Sequence, residues 1–312
     1  MWLALAFVSA ALLGLYDTSK KSALKDNAVL PVLFFNTLFT TVIFSPFIID
    51  SATGAGWFSG TMLDSSPYAG HPETSGAGTG SLLHAHLLII IKAFIVLASW
   101  IFGYFGMKHL PITIVGPINA TRPVLVLVGA MLIFGERLNG YQWTGVILSV
   151  VSLFLLSLSS KREQVDFARN RWIWAVAAAA VIGAISGLYD KYIMRELSPM
   201  FVQSWYNLYQ LVIMTAVCAV LWYPNRRHTT AFHWSWAIPL ISVFISAADF
   251  AYFSALNRPD SMISVVSLIR RGSVIVSFAC GVMLFREKNL RAKALDLVLI
   301  LTGMIFIYLG SR

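Results

Sequence analysis

Four basic side chains fall where the surrounding sequence is apolar: Lys92 in "LLIIIKAFIVLASW", Arg122 in "PINATRPVLVLVG", and Arg270 and Arg271 in "SVVSLIRRGSVIVSF". At the centre of a membrane helix such a charge costs about 2.5–3.5 kcal/mol. Guanidinium groups present forked donors that match two oxygens of a carboxylate or phosphate, and an ammonium adds a compact point charge. The chemistry these residues suit is anion binding. Asn119 and Thr121 precede Arg122 and Pro123 follows it, while Ser267, Gly272 and Ser273 flank the Arg270–Arg271 pair. Such neighbours free backbone groups that a hydrated cavity satisfies. Asp249 is the one clear acid inside an apolar segment, and one carboxylate does not balance four cations. A competing reading makes Arg270 and Asp249 a structural ion pair. No His or carboxylate lies within a helical turn of Arg122, Arg270 or Arg271, so general acid–base work has no candidate there, and no enzyme, metal or other cofactor is expected.

Other residues would shape the cavity. Trp205, Tyr206 and Gln210 in "WYNLYQ", Tyr104 near Trp100, Tyr252, and Asn36 bring rings and amides to segments around a centre. Rings of this kind stack on sugar or base faces or cage a quaternary ammonium; the alternatives are an interfacial belt and interhelical bridging. Tyr16 and Asp17, echoed as Tyr189 and Asp190, stand at the exits of the first and sixth apolar segments as a hinge or gate, or as simple anchors.

The elements that must position these residues are membrane helices. Of 312 residues 58% are apolar and 12% charged, which excludes an ordinary soluble domain. Ten segments reach toward the ~20 residues that a bilayer requires: 3–16, 29–49, 82–107, 112–134, 141–159, 172–189, 200–223, 236–256, 261–285 and 292–309. Their unbroken apolarity excludes the alternation of barrel strands, so the expected fold is all-α and integral to the membrane. The first segment lacks a basic flank of the kind signal peptides carry and is read as a retained helix. Cys218 and Cys280 lie inside segments and suggest neither disulfide nor thiolate site. One connection is long, 50–81, rich in Gly, Ser and Thr, and reads as a mobile loop. Its Asp64, His71 and Glu73, with His84 and His86, are poorly spaced for a metal.

Internal repetition is the strongest signal. "GLYDTSKKSAL" at 14–24 recurs as "GLYDKYIMREL" at 187–197, "GYFGMKHLPIT" at 103–113 matches "AYFSALNRPDS" at 251–261, and "LIFGERLNG" matches "MLFREKNLR", pairing Glu136 with Glu287. Both glutamates are read as turn residues without a transport role. The order is the same in both halves, 1–160 and 161–312, and the alignment carries Arg122 onto Arg270. A duplicated unit of five helices must enter the membrane from opposite sides, which makes two inverted repeats. Counted along their segments, Arg122 and Arg270 both fall ~13–14 Å deep, near the midplane.

With five plus five helices, "GER" and "REK" before the last helix of each half, and Gly-rich final helices, the chain resembles the drug/metabolite transporter superfamily, specifically its EamA-type members. That resemblance implies a carrier fold and transport of a small molecule; relatives span amino-acid and metabolite exporters, nucleotide-sugar and sugar-phosphate exchangers, and carriers of lipid-linked sugars.

The functional expectation is a secondary transporter moving a small anionic or zwitterionic metabolite by alternating access, its acidic group held by the midplane arginines. The alternatives are a flippase or carrier for a polyprenyl-phosphate-linked substrate and a membrane enzyme acting on phosphorylated lipid. Expected partners are that substrate and the lipid bilayer, with a coupling proton or counter-substrate left open and no nucleic acid. Lys20, Lys21, Lys25, Lys161, Arg162, Arg226, Arg227, Arg286 and Lys288 lie on odd-numbered connections, and few basic residues, such as Arg137 and Lys191, on the others. The positive-inside rule then sets both termini and the long loop outside, although EamA-type proteins usually keep their termini inside. The expected location is a multi-pass protein of the bacterial inner membrane.

Overall fold

A computed structural model describes residues 2–24, 27–61, 63–69, 82–109, 118, 121–158, 171–226, 230–273, 275–276, 279–280 and 290–310. Among them there is no strand. The helices are α1 (Trp2–Leu24), α2 (Val29–Thr53), α3 (Leu82–His109), α4 (Arg122–Phe134), α5 (Gly140–Leu158), α6 (Arg171–Ile193), α7 (Pro199–Val217, continued by a π-helical turn Cys218–Trp222), α8 (Ala237–Leu256), α9 (Ile263–Arg271) and α10 (Leu290–Gly310). Each falls on an apolar segment of the sequence. Among the described residues six stretches are long and apolar enough to cross a bilayer, those within α1, α2, α3, α6, α7 with its π turn, and α8, while α4 and the last part of α10 are shorter apolar helices.

The boundaries have local causes. Ser198 stands before α7 and its hydroxyl accepts the Phe201 N–H at 3.3 Å, with Pro199 in the first turn where no N–H is needed. α4 begins at Arg122; residues 110–117 and 119–120, from which its depth is counted, lie outside the described residues. One expectation changes. α1 runs on to Leu24 and α6 to Ile193. Tyr16, Asp17, Tyr189 and Asp190 therefore sit inside helices rather than at their exits, because helical hydrogen bonding continues past the point where apolarity ends.

The chain divides into two compact units, Met1–Ala93 with Tyr192–Pro259, and Phe94–Lys191 with Asp260–Arg312, each drawing on both sequence halves. In the first unit α1 packs along α8, and α2 packs against α7 and α8. Small buried residues line the α1–α8 seam: Ala6, Ser9 and Ala10 on one side, Ala248, Ala251 and Ala255 on the other. Without a hydrophobic drive between helices in lipid, small residues permit the close backbone approach on which van der Waals packing depends. The Ser9 hydroxyl also donates to Ala248 O at 2.7 Å.

In the second unit α10 packs along α5 and α9 along α4. A Cβ on Gly145 would stand 2.5 Å from Gly303 O, and one on Gly303 would stand 2.9 Å from Gly145 O, so α5 and α10 touch backbone to backbone. The Ser99 hydroxyl donates to Ala179 O at 2.9 Å, joining α3 to α6.

Part of the long connection is built rather than loose. Asp50, near the end of α2, accepts the Trp57 N–H at 2.7 Å on one oxygen and the Ser65 hydroxyl at 2.6 Å on the other. Ser198 then donates its hydroxyl to Ser66 O and its N–H to Pro67 O. Residues 70–81, including His71 and Glu73, lie outside the described set.

Candidate functional site

The first unit holds a polar centre inside its apolar packing. Thr37, Thr40 and Thr41 return their hydroxyls to α2 carbonyls, and Thr41 also reaches Asn207 O of α7 at 3.0 Å. Asn36 is buried and its side-chain oxygen accepts the Ser242 hydroxyl of α8 at 3.0 Å. That bond makes Asn36 a bridge between helices.

Lys92 enters this centre from α3. It is 3% exposed, with its Nζ 4.7 Å from the Tyr206 ring centroid and 4.7 Å from that of Phe253. Ring faces attract a cation through their quadrupoles. Tyr252, also buried, packs beside Phe253 with ring centroids 5.3 Å apart. One turn along α7, Gln210 is 2% exposed and donates to Ala93 O at 3.4 Å. Asp249 is half-buried on α8.

Toward the start of α7 the rings form a second group. Trp205 donates its indole N–H to Ser51 Oγ at 3.2 Å and meets the His86 ring edge-on at 4.4 Å. His86 Nδ1 and the Tyr209 hydroxyl are 3.0 Å apart, and His84 Nε2 lies 3.5 Å from a Glu196 oxygen. The two histidines thus have separate partners, and among the described residues no three His, Cys, Asp or Glu side chains gather as a metal set would.

The arginines belong to the second unit. Arg122 opens α4 and one of its terminal nitrogens donates to Gly183 O of α6 at 2.7 Å. A Cβ on Gly183 would stand 2.6 Å from Arg122 Cζ, so the guanidinium lies in a notch that only glycine leaves. Arg270 and Arg271 form the last turn of α9. α4 and α9 run antiparallel, because Glu136, just past the end of α4, accepts the Ile263 and Ser264 N–H groups that begin α9. Arg122 therefore lies at the end of α4 away from the Glu136 cap, and Arg270 and Arg271 at the end of α9 away from it.

Among the remaining sequence candidates, Asn119 and the side chain of Tyr104 lie outside the described residues. Tyr16 packs on the cluster of Ala23, Val32, Ile238 and Ile241, with the Lys20 ammonium 5.5 Å from its ring. Asp17 is exposed, Tyr189 half-buried and Asp190 buried. Sequence reasoning missed Gln203, buried on α7, whose amide donates to Ser246 O at 2.8 Å. It missed Glu136 as a helix cap as well, and Glu287 lies outside the described residues.

A family model for EamA-like transporters matches residues 1–158 and again 170–309. The chain belongs to the EamA-like transporter family. Its two matched stretches give this family member the two-repeat architecture that the sequence repetition suggested, and make it a multi-pass membrane protein. No curated protein matches it. Among solved structures it is similar to a crystal structure described only as that of a protein, with a TM-score of 0.69 and 16% identity over 100% of this chain and 97% of the other; that likeness concerns the fold.

Proposed function

We propose that this EamA-family protein is a secondary transporter of a small organic molecule bearing an acidic group, moved by alternating access between two inverted five-helix halves. Lys92 carries the reading of the substrate: it places a buried ammonium between two ring faces, and a positive charge in such low-dielectric surroundings attracts an acidic group more strongly than it would in water. Family membership supports transport. The pairing of α2 with α7, α4 with α9 and α5 with α10, each five places apart, supports the inverted halves, as does the pairing of α1 with α8, which the same five-place shift carries onto α6 with α3. Arg122, Arg270 and Arg271 belong to the second unit and are candidates there for binding an acidic group in their own right, with Arg122 also tied to Gly183 O.

The test is a thermal-shift series on the purified protein with sugar phosphates, carboxylates, amino acids and quaternary amines, since a ligand that binds only the folded state raises its stability. Stabilisation by anions or zwitterions, followed by uptake of the same compound into proteoliposomes and loss of that uptake in Lys92→Gln, is the expected result. Stabilisation by quaternary amines alone would overturn the acidic substrate.

A further inference from the structure

Two connections of the first unit, the one after α2 and the one after α7, occupy equivalent places in the two repeats. Each is fastened to the residue that opens the second helix of the other repeat. After α2, Ser66 O accepts the Ser198 hydroxyl at 2.7 Å and Pro67 O accepts the Ser198 N–H at 2.9 Å, just before α7. After α7, the His233 N–H donates to Asn27 Oδ1 at 2.9 Å and His233 O accepts from Asn27 Nδ2 at 2.6 Å, just before α2. The two fastenings lie at opposite ends of an antiparallel helix pair. Trp205 near the start of α7 bonds Ser51 near the end of α2, while Cys218 past the end of α7 reaches Leu30 O at the start of α2. With 25 residues, α2 is ~37 Å long, against ~30 Å for the hydrocarbon of a bilayer. Its two ends, and the connections fastened there, therefore stand at headgroup level.

At that level each connection holds tryptophan outward on a fixed backbone. Gly54 ends α2 in the left-handed region, at φ 67°, and the chain folds back. Asp50 then grips the Trp57 N–H at 2.7 Å, and Phe58 packs on Phe47 with ring centroids 4.5 Å apart. Trp57 is left 63% exposed. At the other end Phe232 stacks on Phe35 of α2 at 5.2 Å, and Trp234 meets the edges of Phe35 and Phe39 at 5.7 and 6.0 Å. Trp236 lies 6.2 Å from Trp234 and is 79% exposed. A loose loop would fold such rings against the protein; these backbones are held and keep them out.

Their surroundings say what covers them. Trp236 stands four residues before Leu240 and seven before Val243, on one face of α8. Both are about half exposed, on a helix long and apolar enough to cross a bilayer. That face meets acyl chains, and Trp236 continues it outward. On α2, Val42 and Ile49 are exposed in the same way, below the turn that carries Trp57. An indole has an apolar body and one N–H donor, so it gains most where hydrocarbon gives way to headgroups.

We propose that the connections after α2 and α7 are interfacial anchors: Trp57 at one face, and Trp234 with Trp236 at the other, insert among the lipid headgroups and seat the first unit at both surfaces of the bilayer. The first part of the long connection then lies on the membrane instead of projecting into water. The anchoring does not depend on what the protein carries.

Nitroxide labels at Trp57→Cys, Trp236→Cys and Val243→Cys, each in a Cys218→Ser, Cys280→Ser background, test it in phosphatidylcholine–phosphatidylglycerol nanodiscs that hold a single copy of the protein. The ratio of collisions with oxygen to collisions with a water-soluble nickel chelate reads depth. Labels at 57 and 236 are expected at the headgroup–acyl boundary, and the label at 243 ~10 Å deeper, as seven helical residues require. Nickel access at 57 or 236 equal to that of a label free in water overturns the anchors. Poor access to both reagents marks a cover of protein and also overturns them. Where a labelled variant does not fold, hydroxyl-radical footprinting of the unaltered protein in the same nanodiscs decides. Trp57 and Trp236 are expected to oxidise several-fold more slowly there than in the urea-unfolded chain, a protection that only lipid supplies to side chains so exposed; equal rates overturn the proposal.

Discussion

Glu136 caps Ile263 from the other half of the chain: one carboxylate oxygen accepts the Ile263 N–H at 2.7 Å, and the other accepts the N–H and the hydroxyl of Ser264. The first N–H groups of a helix have no intrahelical partner and form the positive end of its dipole. Met262, at the usual capping position, contributes no side-chain bond, so Glu136 takes its place and ties the end of α4 to the start of α9. Glu136→Ala should cost about 1–2 kcal/mol of stability, in the range of a lost cap, and Glu136→Gln somewhat less. The check is thermal unfolding in detergent; an unfolding temperature unchanged in Glu136→Ala would remove the cap's importance.

Gly183 and Arg122 make a second prediction. A methyl at 183 would favour the helix by about 1 kcal/mol, yet it would stand 2.6 Å from Arg122 Cζ and displace the guanidinium from Gly183 O. Gly183→Ala should therefore destabilise the protein, and the same change in an Arg122→Leu background should be neutral or stabilising. Equal effects in the two backgrounds would mean that the notch does not hold the arginine.

Charge, repetition and apolar length were legible in the sequence because each is local or periodic. Lys92 announces itself by interrupting an apolar run, and Glu136 aligns with Glu287. What Glu136 does was not legible, since its partner Ser264 is 128 residues away and a glutamate in a polar turn looks the same whether it caps another helix or faces water. The ends of α1 and α6 were misplaced for another reason: "TSKKSAL" is polar but has neither Gly nor Pro to stop a helix, so hydropathy ended before hydrogen bonding did. Gln203 lies near the start of its segment, where a polar residue reads as interfacial, and only packing shows it to be buried.

The α5–α10 contact gives a third prediction. A Cβ added at Gly145 meets Gly303 O at 2.5 Å and the Ile307 N at 3.0 Å. Backbone atoms cannot rotate away as a side-chain tip can, so Gly145→Ala should force α5 from α10. The overpacking range of about 1–3 kcal/mol is the least it should cost. A broadened or aggregated size-exclusion profile, or a clearly lower unfolding temperature, is the expected signature; Gly140→Ala, where a Cβ meets nothing, is the control that should change neither.

The rings around Lys92 give the last. Tyr206 and Phe253 each lie 4.7 Å from its Nζ, and a desolvated cation–ring contact is worth about 2 kcal/mol. Lys92→Met removes the ammonium and its contacts with both rings while keeping an apolar chain of similar length, so anion binding should be lost, and its unfolding temperature is the reference against which the ring is judged. Tyr206→Leu leaves the cation in place and strips one of its faces, so it should destabilise. In the Lys92→Met background the same Tyr206→Leu change should cost about 2 kcal/mol less, because only the ring's packing remains to be lost. The cycle is read from unfolding temperatures of the four proteins in one detergent. Strictly additive penalties would show that the ring and the ammonium are neighbours without being coupled, and the cation would then be held by something other than its aromatic walls.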